Sequence, residues 1–300
     1  MQLLNRAFTV IFMMTFITTL IACQQQGTQH EDQSPRVEPT LDHPDNRPDQ
    51  LEQDNDKFNM GSPHEQPQLA GGSERDVREP HPVSNDQLQK KYPGTLILHA
   101  SRDKNQVALS FDDGPDIRFT PMVLDVLDKH DVKATFFMMG SRAKEHRDIV
   151  ERVNDAGHVI GNHTYWHPNL PKEELDRLDW EVKETEKVIE DIVGYKPRLF
   201  RSPYGALNEE MVEKLAAMDN KIIGWDVDSI DWKQPGADVV ADNVLSNVSP
   251  GSIILMHDGG DWTMDLSGTA EGLDRIITKL KEDGIEFVTI PELIGVQKEK

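Results

Sequence analysis

The fold is decided by the stretch Val107-Ala108-Leu109-Ser110-Phe111-Asp112-Asp113-Gly114-Pro115. Five residues of strand character lead into two adjacent carboxylates, and Gly-Pro then predicts a turn. Neighbouring side chains of a regular strand point to opposite faces, so Asp112 and Asp113 can share one cleft only where the strand ends. Two adjacent carboxylates repel each other, so the pair needs a cation, a proton or a strong hydrogen-bond donor nearby.

Outward from this strand, strand and helix patterns alternate along the chain. The predicted strands are 95–99, 106–111, 133–139, 158–161, 198–201, 221–227, 252–257 and 286–290. The predicted helices are 121–130, 146–156, 173–193, 208–218, 238–248 and 273–282. Parallel strands need crossover connections, so this alternation predicts an α/β domain over residues 95–297. We expect a distorted (β/α)7-type barrel, with an open doubly wound sheet as the alternative.

The polar residues that stand out all follow predicted strands. They are Asp112 and Asp113 after the first strand of the alternating run, His163 and His167 after the third, Arg201 after the fourth, Asp228 and Asp231 after the fifth, and His257 at the end of the sixth. In β/α barrels the carboxyl ends of the strands form the face that carries the active site. A random scatter would place some of these residues on the backs of helices, so we expect them to share one site.

Residues 1–22 have the layout of a signal peptide, one early arginine followed by a largely apolar run. The run ends Leu20-Ile21-Ala22-Cys23, which resembles the lipobox of bacterial lipoproteins and implies lipidation of Cys23. The alternative is a short transmembrane anchor with an incidental cysteine. Residues 23–94 are polar and acidic without sustained periodicity, which predicts a disordered linker. We therefore expect an extracytoplasmic domain held at the membrane, since two acyl chains suffice for anchoring.

Composition excludes several classes of function. The chain has 300 residues and a net charge of −21, so nucleic acid is not an expected partner. Its single cysteine excludes an internal disulfide and a cysteine-rich metal site. We expect a monomer.

The segment His163-Thr164-Tyr165-Trp166-His167-Pro168 carries two imidazoles four residues apart. On a helical turn that spacing would place both rings on one side, close enough to share an ion. Together with Asp113 they would make an open site of two histidines and one carboxylate. Such a set is typical of catalytic zinc centres and equally of the facial triad of non-haem Fe(II) oxygenases.

The residues around these ligands favour hydrolysis. Asp112 would lie beside the ligand set and act as the base that takes a proton from water. Arg201 could hold that carboxylate through a bidentate pair or form a structural salt bridge in the barrel mouth. A carboxylate such as Asp231 beside His257 would raise the pKa of the imidazole and let it act as a general acid. An acid, a base and a hydrolytic metal describe hydrolysis of an amide or ester.

Five segments resemble the five motifs of the NodB-homology polysaccharide deacetylases, carbohydrate esterase family four. They are Ser110-Phe111-Asp112-Asp113-Gly114-Pro115, His163-Thr164-Tyr165-Trp166-His167-Pro168, Arg201-Ser202-Pro203-Tyr204-Gly205, Asp228-Ser229-Ile230-Asp231-Trp232 and Leu255-Met256-His257. They follow the family's order and cover about residues 104–292. The one departure is Ser110, where threonine is usual.

The resemblance implies a distorted β/α barrel and a divalent metal, usually zinc. The metal would be bound by Asp113, His163 and His167. It further implies Asp112 as base steadied by Arg201, and His257 as acid tuned by Asp231. The Tyr204 backbone N–H would help to stabilise the oxyanion, and Trp232 and Leu255 would line the pocket for the acetyl methyl group.

The family acts on chitin, chitooligosaccharides, peptidoglycan and acetylated xylan. A lipid anchor and a long tether favour a substrate just outside a bacterial membrane, which is peptidoglycan. We expect N-acetylglucosamine as the sugar, with N-acetylmuramic acid and chitooligosaccharides as alternatives. A non-catalytic member that binds glycan is the alternative from another class, and loss of a ligand or of the base would mark it.

Overall fold

The structure, a computed structural model, describes residues 66–78 and 85–300. The predicted signal peptide, Cys23 and the linker as far as residue 65 lie outside the described residues. The helices are α1 Glu74–Val77, α2 Asn85–Lys91, α3 Thr120–Lys129, α4 Gly140–Glu145, α5 Arg147–Asp155, α6 Leu175–Val193, α7 Glu209–Ala217, α8 Ala237–Leu245, α9 Ser267–Glu282 and α10 Ile290–Ile294. Within the described ranges no helix combines the length and apolar character needed to cross a bilayer.

One sheet contains all the strands, and every pairing between them is parallel. The strands are β1 Leu96–Ile97, β2 Gln106–Asp112, β3 Thr135–Met138, β4 Val159–Asn162, β5 Leu199–Phe200, β6 Lys221–Ile223, β7 Val227–Asp228, β8 Ile253–His257 and β9 Glu286–Phe287. Their spatial order is β1-β6-β5-β4-β3-β2-β8-β7, and β9 pairs with β2. Alternation of strands and helices thus gives the parallel α/β sheet that the sequence predicts.

The connection between β6 and β7 shows that this sheet is curled. Four Cα steps lead from Ile223 to Val227, which span at most about 15 Å. Along the sheet, however, β6 and β7 are six strand spacings apart, about 29 Å if the sheet were flat. Only a sheet that curves back on itself brings the two strands within reach of each other. The barrel prediction is therefore confirmed, and the open doubly wound alternative is wrong.

The expectation of one continuous strand over 221–227 is also wrong. The chain leaves β6 at Gly224, where an added Cβ would lie 2.4 Å from Leu98 Cδ2. It then crosses to β7 beside β8, where Asp226 Oδ1 accepts the N–H of Ile253 at 2.9 Å. The apolar pattern of the segment hid this crossing, because both strands are buried.

Side chains on β2 alternate between two environments. Val107, Leu109 and Phe111 join the core between the sheet and helices α3, α8 and α9. Ala108 belongs to a separate buried cluster with inward residues of the other strands and with Ile290 of α10. Ser110 and Asp112 lie on the same side of β2 as Ala108, because side chains alternate along a strand. This side faces the barrel interior, so the row of inward side chains ends at the carboxylate of Asp112.

Parts of the range predicted as a disordered linker are described and packed. Leu88 of α2 is buried in one cluster with Leu96 of β1. Ala70 donates its N–H to the Trp166 carbonyl at 2.7 Å. The described residues before 95, which are 66–78 and 85–94, thus pack on the domain that was expected to begin at residue 95.

Candidate metal centre and active site

The two adjacent carboxylates at the end of β2 reach the same cleft because the backbone turns between them. Asp112 is the last residue of the strand, and Asp113 has a φ of 70°, in the left-handed region. A regular strand would have sent the Asp113 side chain to the opposite face. The following Gly114 approaches Asp258 closely, since an added Cβ would lie 2.5 Å from its Oδ2.

The two imidazoles come together through a loop and not through a helical turn, so that part of the prediction is wrong. After β4, Thr164 and His167 both have positive φ angles, 67° and 56°. Such angles are costly for non-glycine residues and persist where surrounding contacts impose them. The ring centroids of His163 and His167 lie 4.9 Å apart.

A buried carboxylate on α6 holds this loop. Glu181 Oε2 accepts the backbone N–H groups of Tyr165 at 2.6 Å and Trp166 at 2.8 Å. Its other oxygen pairs with Arg177 at 2.7 Å. Sequence reasoning missed Glu181, although a signal exists: it is a charged residue within the apolar stripe of α6 that includes Leu178 and Val182.

Asp113, His163 and His167 form the one described group of three possible metal ligands, with ligand atoms all within 4.8 Å of one another. The Nε2 atoms of His163 and His167 lie 3.2 and 3.1 Å, respectively, from Asp113 Oδ1. Both Asp113 carboxylate oxygens and His167 Nε2 are buried without a hydrogen-bond partner. Buried polar atoms without partners are costly, and a divalent cation among them would satisfy all three, so these residues fit the implied metal.

Contacts behind the two rings leave the inward nitrogens free to bind a cation. His163 Nδ1 lies 2.9 Å from the Arg201 carbonyl, which can only accept, so Nδ1 carries the proton. His167 Nδ1 lies 3.1 Å from the Tyr204 hydroxyl, which itself donates to the Gly72 carbonyl at 2.6 Å. Partners of this kind fix the tautomer of a metal-binding histidine. This role of the Tyr204 side chain was not predicted.

Arg201 lies fully buried beneath Asp112. Its Nη1 donates to Asp112 Oδ1 at 2.7 Å and to the Ser110 hydroxyl at 2.9 Å. The remaining nitrogens donate to the carbonyls of Ile223 and Gly224 at 3.1 and 3.2 Å. The expected bidentate pair is therefore wrong, because only one guanidinium nitrogen reaches Asp112. Ser110 supplies a hydroxyl at this point, as the usual threonine would.

Asp231, in the short 3-10 turn Asp231–Lys233 after β7, holds His257 of strand β8 with both carboxylate oxygens. Oδ1 lies 2.7 Å from His257 Nδ1, and Oδ2 accepts the His257 backbone N–H at 2.8 Å. Thr269 donates to the same Oδ2 at 2.9 Å. Burial alone would lower the pKa of His257, but the charge and hydrogen bond of Asp231 raise it to about 10. The imidazole therefore carries a proton at neutral pH.

The remaining predicted site residues lie on the same face. Tyr204 has a φ of 60° in a short 3-10 turn, and its ring centroid is 4.6 Å from that of His167. Trp232 directly follows Asp231 and packs with Phe119. Leu255 is buried in β8 two residues before His257, on the same side of the strand.

A second buried residue that sequence reasoning missed is Arg142 of α4. Its Nη1 donates to the backbone carbonyl of Asp113 at 2.8 Å, and its Nη2 donates to the carbonyl of Gly260 at 2.6 Å. Nothing in the local sequence points to it, since α4 itself was not predicted.

This geometry defines a class of protein: a β/α-barrel hydrolase with a cation site of two histidines and one carboxylate, a second carboxylate beside it that is not among the three ligands, and an imidazolium nearby. The family model for polysaccharide deacetylases matches residues 99–223. A peptidoglycan-N-acetylglucosamine deacetylase from Bacillus cereus is 44% identical over 200 residues, which are 66% of this chain and 71% of that protein. The chain belongs to the polysaccharide deacetylase family.

Other relatives extend the comparison. A peptidoglycan-N-acetylglucosamine deacetylase from Listeria monocytogenes is 41% identical over 65% of this chain, but the match spans only 40% of that protein. The crystal structure of a peptidoglycan N-acetylglucosamine deacetylase superposes with a TM-score of 0.69 at 41% identity, covering 71% of this chain and 99% of the other. A CE4-family pseudoenzyme from Bacillus anthracis superposes with a TM-score of 0.62 at 36% identity, covering 66% and 68%. Because this fold also occurs in a pseudoenzyme, the fold alone does not make a protein catalytic, and the residues in the site decide whether it is active.

Proposed function

We propose that this protein is a zinc-dependent deacetylase that removes the N-acetyl group from N-acetylglucosamine in peptidoglycan. The observation that carries the proposal is the carboxylate of Asp112, which Arg201 holds beside three convergent ligands, with the protonated His257 on the adjacent strand. The names of the Bacillus cereus and Listeria relatives support peptidoglycan as the substrate. The three ligands, the base Asp112 with Arg201, and the acid His257 with Asp231 are all present, which argues against a non-catalytic glycan-binding member.

The chemistry follows from what each residue can do. A divalent cation held by Asp113, His163 and His167 would polarise the acetyl carbonyl and make water more acidic. Asp112 accepts a proton from water while the water oxygen bonds to the carbonyl carbon of the acetyl group. Arg201 keeps the Asp112 carboxylate in place. His257 donates its proton to the sugar nitrogen as the C–N bond breaks. The products are acetate and a glucosamine unit.

An oxygenase would have the same three ligands but would not need the pair formed by His257 and Asp231. His257 and Asp231 are held together by two hydrogen bonds. The pair supplies a proton at neutral pH, and protonation of a leaving amine is a requirement of amide hydrolysis.

Acetate release from purified protein tests the substrate. Peptidoglycan and chitooligosaccharides are incubated separately, with the Asp112→Asn variant as the inactive control. We expect acetate from peptidoglycan, and mass spectrometry of muramidase fragments should locate the free amine on glucosamine. Release from chitin oligomers alone would overturn the choice of substrate, and a free amine on the muramic acid residue would overturn the choice of sugar.

We further propose that Cys23 carries the lipid anchor and that the protein acts as a monomer outside the cytoplasm. The support is the sequence Leu20-Ile21-Ala22-Cys23 after an apolar run. Replacement of Cys23 by alanine should abolish incorporation of a labelled fatty acid into the protein. Equal labelling of the variant and the natural chain would contradict the anchor.

A further inference from the structure

Residues 66–78 lie against the active site, although the sequence resembles a linker. Ala70 and Gly71 donate their backbone N–H groups to the carbonyls of Trp166 and His167, at 2.7 and 3.0 Å. Both acceptors belong to the loop that carries the metal-binding histidines. Residues 66–78 are therefore fixed to the rim of the cation site at this point.

The contact is too close for any side chain. An added Cβ on Gly71 would lie 2.4 Å from the Tyr204 hydroxyl and 3.0 Å from the His167 carbonyl. Gly72 has a φ of 93°, which favours glycine, and its carbonyl accepts the Tyr204 hydroxyl at 2.6 Å. The paired glycines thus turn the backbone directly behind His167.

Beyond the glycines the segment continues to the other side of the site. Arg78 Nη2 donates to Asp228 Oδ2 at 2.5 Å. Its guanidinium lies 4.8 Å from the ring centroid of Trp225 and 5.1 Å from that of Trp232. Trp232 is the residue assigned to the acetyl pocket, so one end of the segment lies at His167 and the other at that pocket.

Between these two ends, Glu74 points inward. Its side chain is buried, with the residue 4% exposed, and Oε2 has no hydrogen-bond partner. Arg78 Nη1 lies 3.6 Å from Glu74 Oε2, and the charges of His257, Asp113 and His163 also act on this carboxylate. Glu74 is thus buried between the loop of His167 and the pocket of Trp232, on the approach to the groups that the mechanism assigns to the reaction.

We propose that residues 66–78 form an autoinhibitory strap, in which Glu74 and Arg78 occupy the approach to the cation site and the acetyl pocket until a glycan displaces them. The inference rests on the proposed function for the identity of the displacing ligand. The half before the hinge is the better anchored, since Arg142 Nε donates to the Pro67 carbonyl at 3.0 Å. We place the hinge at Gly71–Gly72, so that Glu74–Arg78 swings away while Pro67–Ala70 stays in place.

The test compares Arg78, which holds the closed strap, with an exposed arginine of the same segment. Arg78→Ala and Arg78→Gln weaken the closed strap because they remove the ion pair with Asp228 and the guanidinium beside the two tryptophans. Arg75→Ala and Arg75→Gln are the matched controls, because Arg75 is exposed. A closed strap reduces the fraction of protein that can bind glycan and raises the apparent KM. We expect KM for a soluble N-acetylated glycan to fall about fivefold in the two strap variants with kcat unchanged. The controls should match the natural chain.

Hydrogen exchange provides a readout that does not depend on turnover. In the closed strap the amides of Val77 and Arg78 donate to the carbonyls of Ser73 and Glu74 within the same segment, at 3.1 and 3.0 Å. A helix of four residues does not persist without its contacts to the barrel, so these bonds open when the strap is displaced. Addition of a chitooligosaccharide should speed exchange at these amides and leave the anchored Ala70 amide protected. Arg78→Ala and Arg78→Gln should show the faster exchange without glycan.

Three outcomes separate this inference from the proposed function. A higher KM in both strap variants would show that the segment binds glycan, which overturns autoinhibition. Unchanged KM and unchanged exchange, with normal acetate release, would also overturn it. Absence of acetate release from the natural chain and every variant would overturn the deacetylase proposal, while faster exchange on glycan addition would still support the strap.

Discussion

Two buried groups of histidine and aspartate lie on this face of the barrel, and they differ in how their polar atoms are satisfied. In the first, Asp113 keeps both carboxylate oxygens without hydrogen-bond partners beside two imidazoles. In the second, both oxygens of Asp231 are bonded to His257, and Thr269 adds a third donor. The same residue types at the same depth therefore form a cation site in one case and a proton-holding pair in the other.

Buried polar atoms without hydrogen-bond partners indicate the function of the Asp113 group as clearly as the hydrogen bonds indicate that of the Asp231–His257 pair. Burial without hydrogen-bond partners costs free energy, so a cation bound at the Asp113 group would remove this cost. The Asp231–His257 pair is complete as it is and keeps the imidazole charged. Perturbing each group should therefore change a different measurable quantity.

The largest effect should come from the cation site. His167→Ala removes one of three ligands, so bound metal should be lost and turnover should fall by about a thousandfold or more. Elemental analysis of the purified variant measures the metal, and acetate release measures turnover. Full metal content in His167→Ala would remove this residue from the ligand set.

Asp231→Asn should alter protonation and leave metal content unchanged. Burial lowers the pKa of His257 while Asp231 raises it to about 10, so loss of the Asp231 charge lowers it. The imidazole then loses its proton at lower pH, and the alkaline limb of kcat/KM should move to lower pH. At neutral pH we expect a loss of roughly ten- to a hundredfold. An unshifted alkaline limb would refute His257 as the acid.

A smaller effect is expected at Glu181, which acts only through the loop it holds. Glu181→Gln keeps one acceptor and loses the charge, so zinc affinity should fall about tenfold, and Glu181→Ala should lose more. Competition with a chelator of known affinity measures both variants. If the alanine variant binds zinc as tightly as the natural chain, the loop does not depend on Glu181.

Lower pH should weaken cation binding without any mutation. Burial would lower the pKa of His163, but the charge of Asp112 and the contact with Asp113 raise it above the usual value. A proton on this ring competes with the cation, so zinc affinity should fall about tenfold for each pH unit below that pKa. Zinc titrations at several pH values would reveal the slope, and a flat profile would exclude His163 as a ligand.

The sequence predicts which residues meet but not how they meet. Parallel strands bring their carboxyl ends to one face, and this rule alone places Asp112, Asp113 and His257 together. It gives no sign of the left-handed backbone at Asp113 and His167, which distant contacts impose.

The strap was missed for a related reason. Residues 66–78 have the composition of a linker, and their partners lie about 100 residues further along the chain, at Trp166 and His167. Local periodicity cannot report such contacts. The paired Gly71 and Gly72 are the one local signal, since they mark a close approach of two backbones.

The most direct test of the account is a zinc titration of two variants with single substitutions at neighbouring positions, Asp112→Asn and Asp113→Asn, followed by an acetate assay. Each change removes one charge and keeps the shape of the side chain. We predict that Asp112→Asn binds one zinc per chain and releases no acetate, whereas Asp113→Asn binds none. Zinc binding by Asp113→Asn with loss of binding in Asp112→Asn would exchange the two roles and contradict the account.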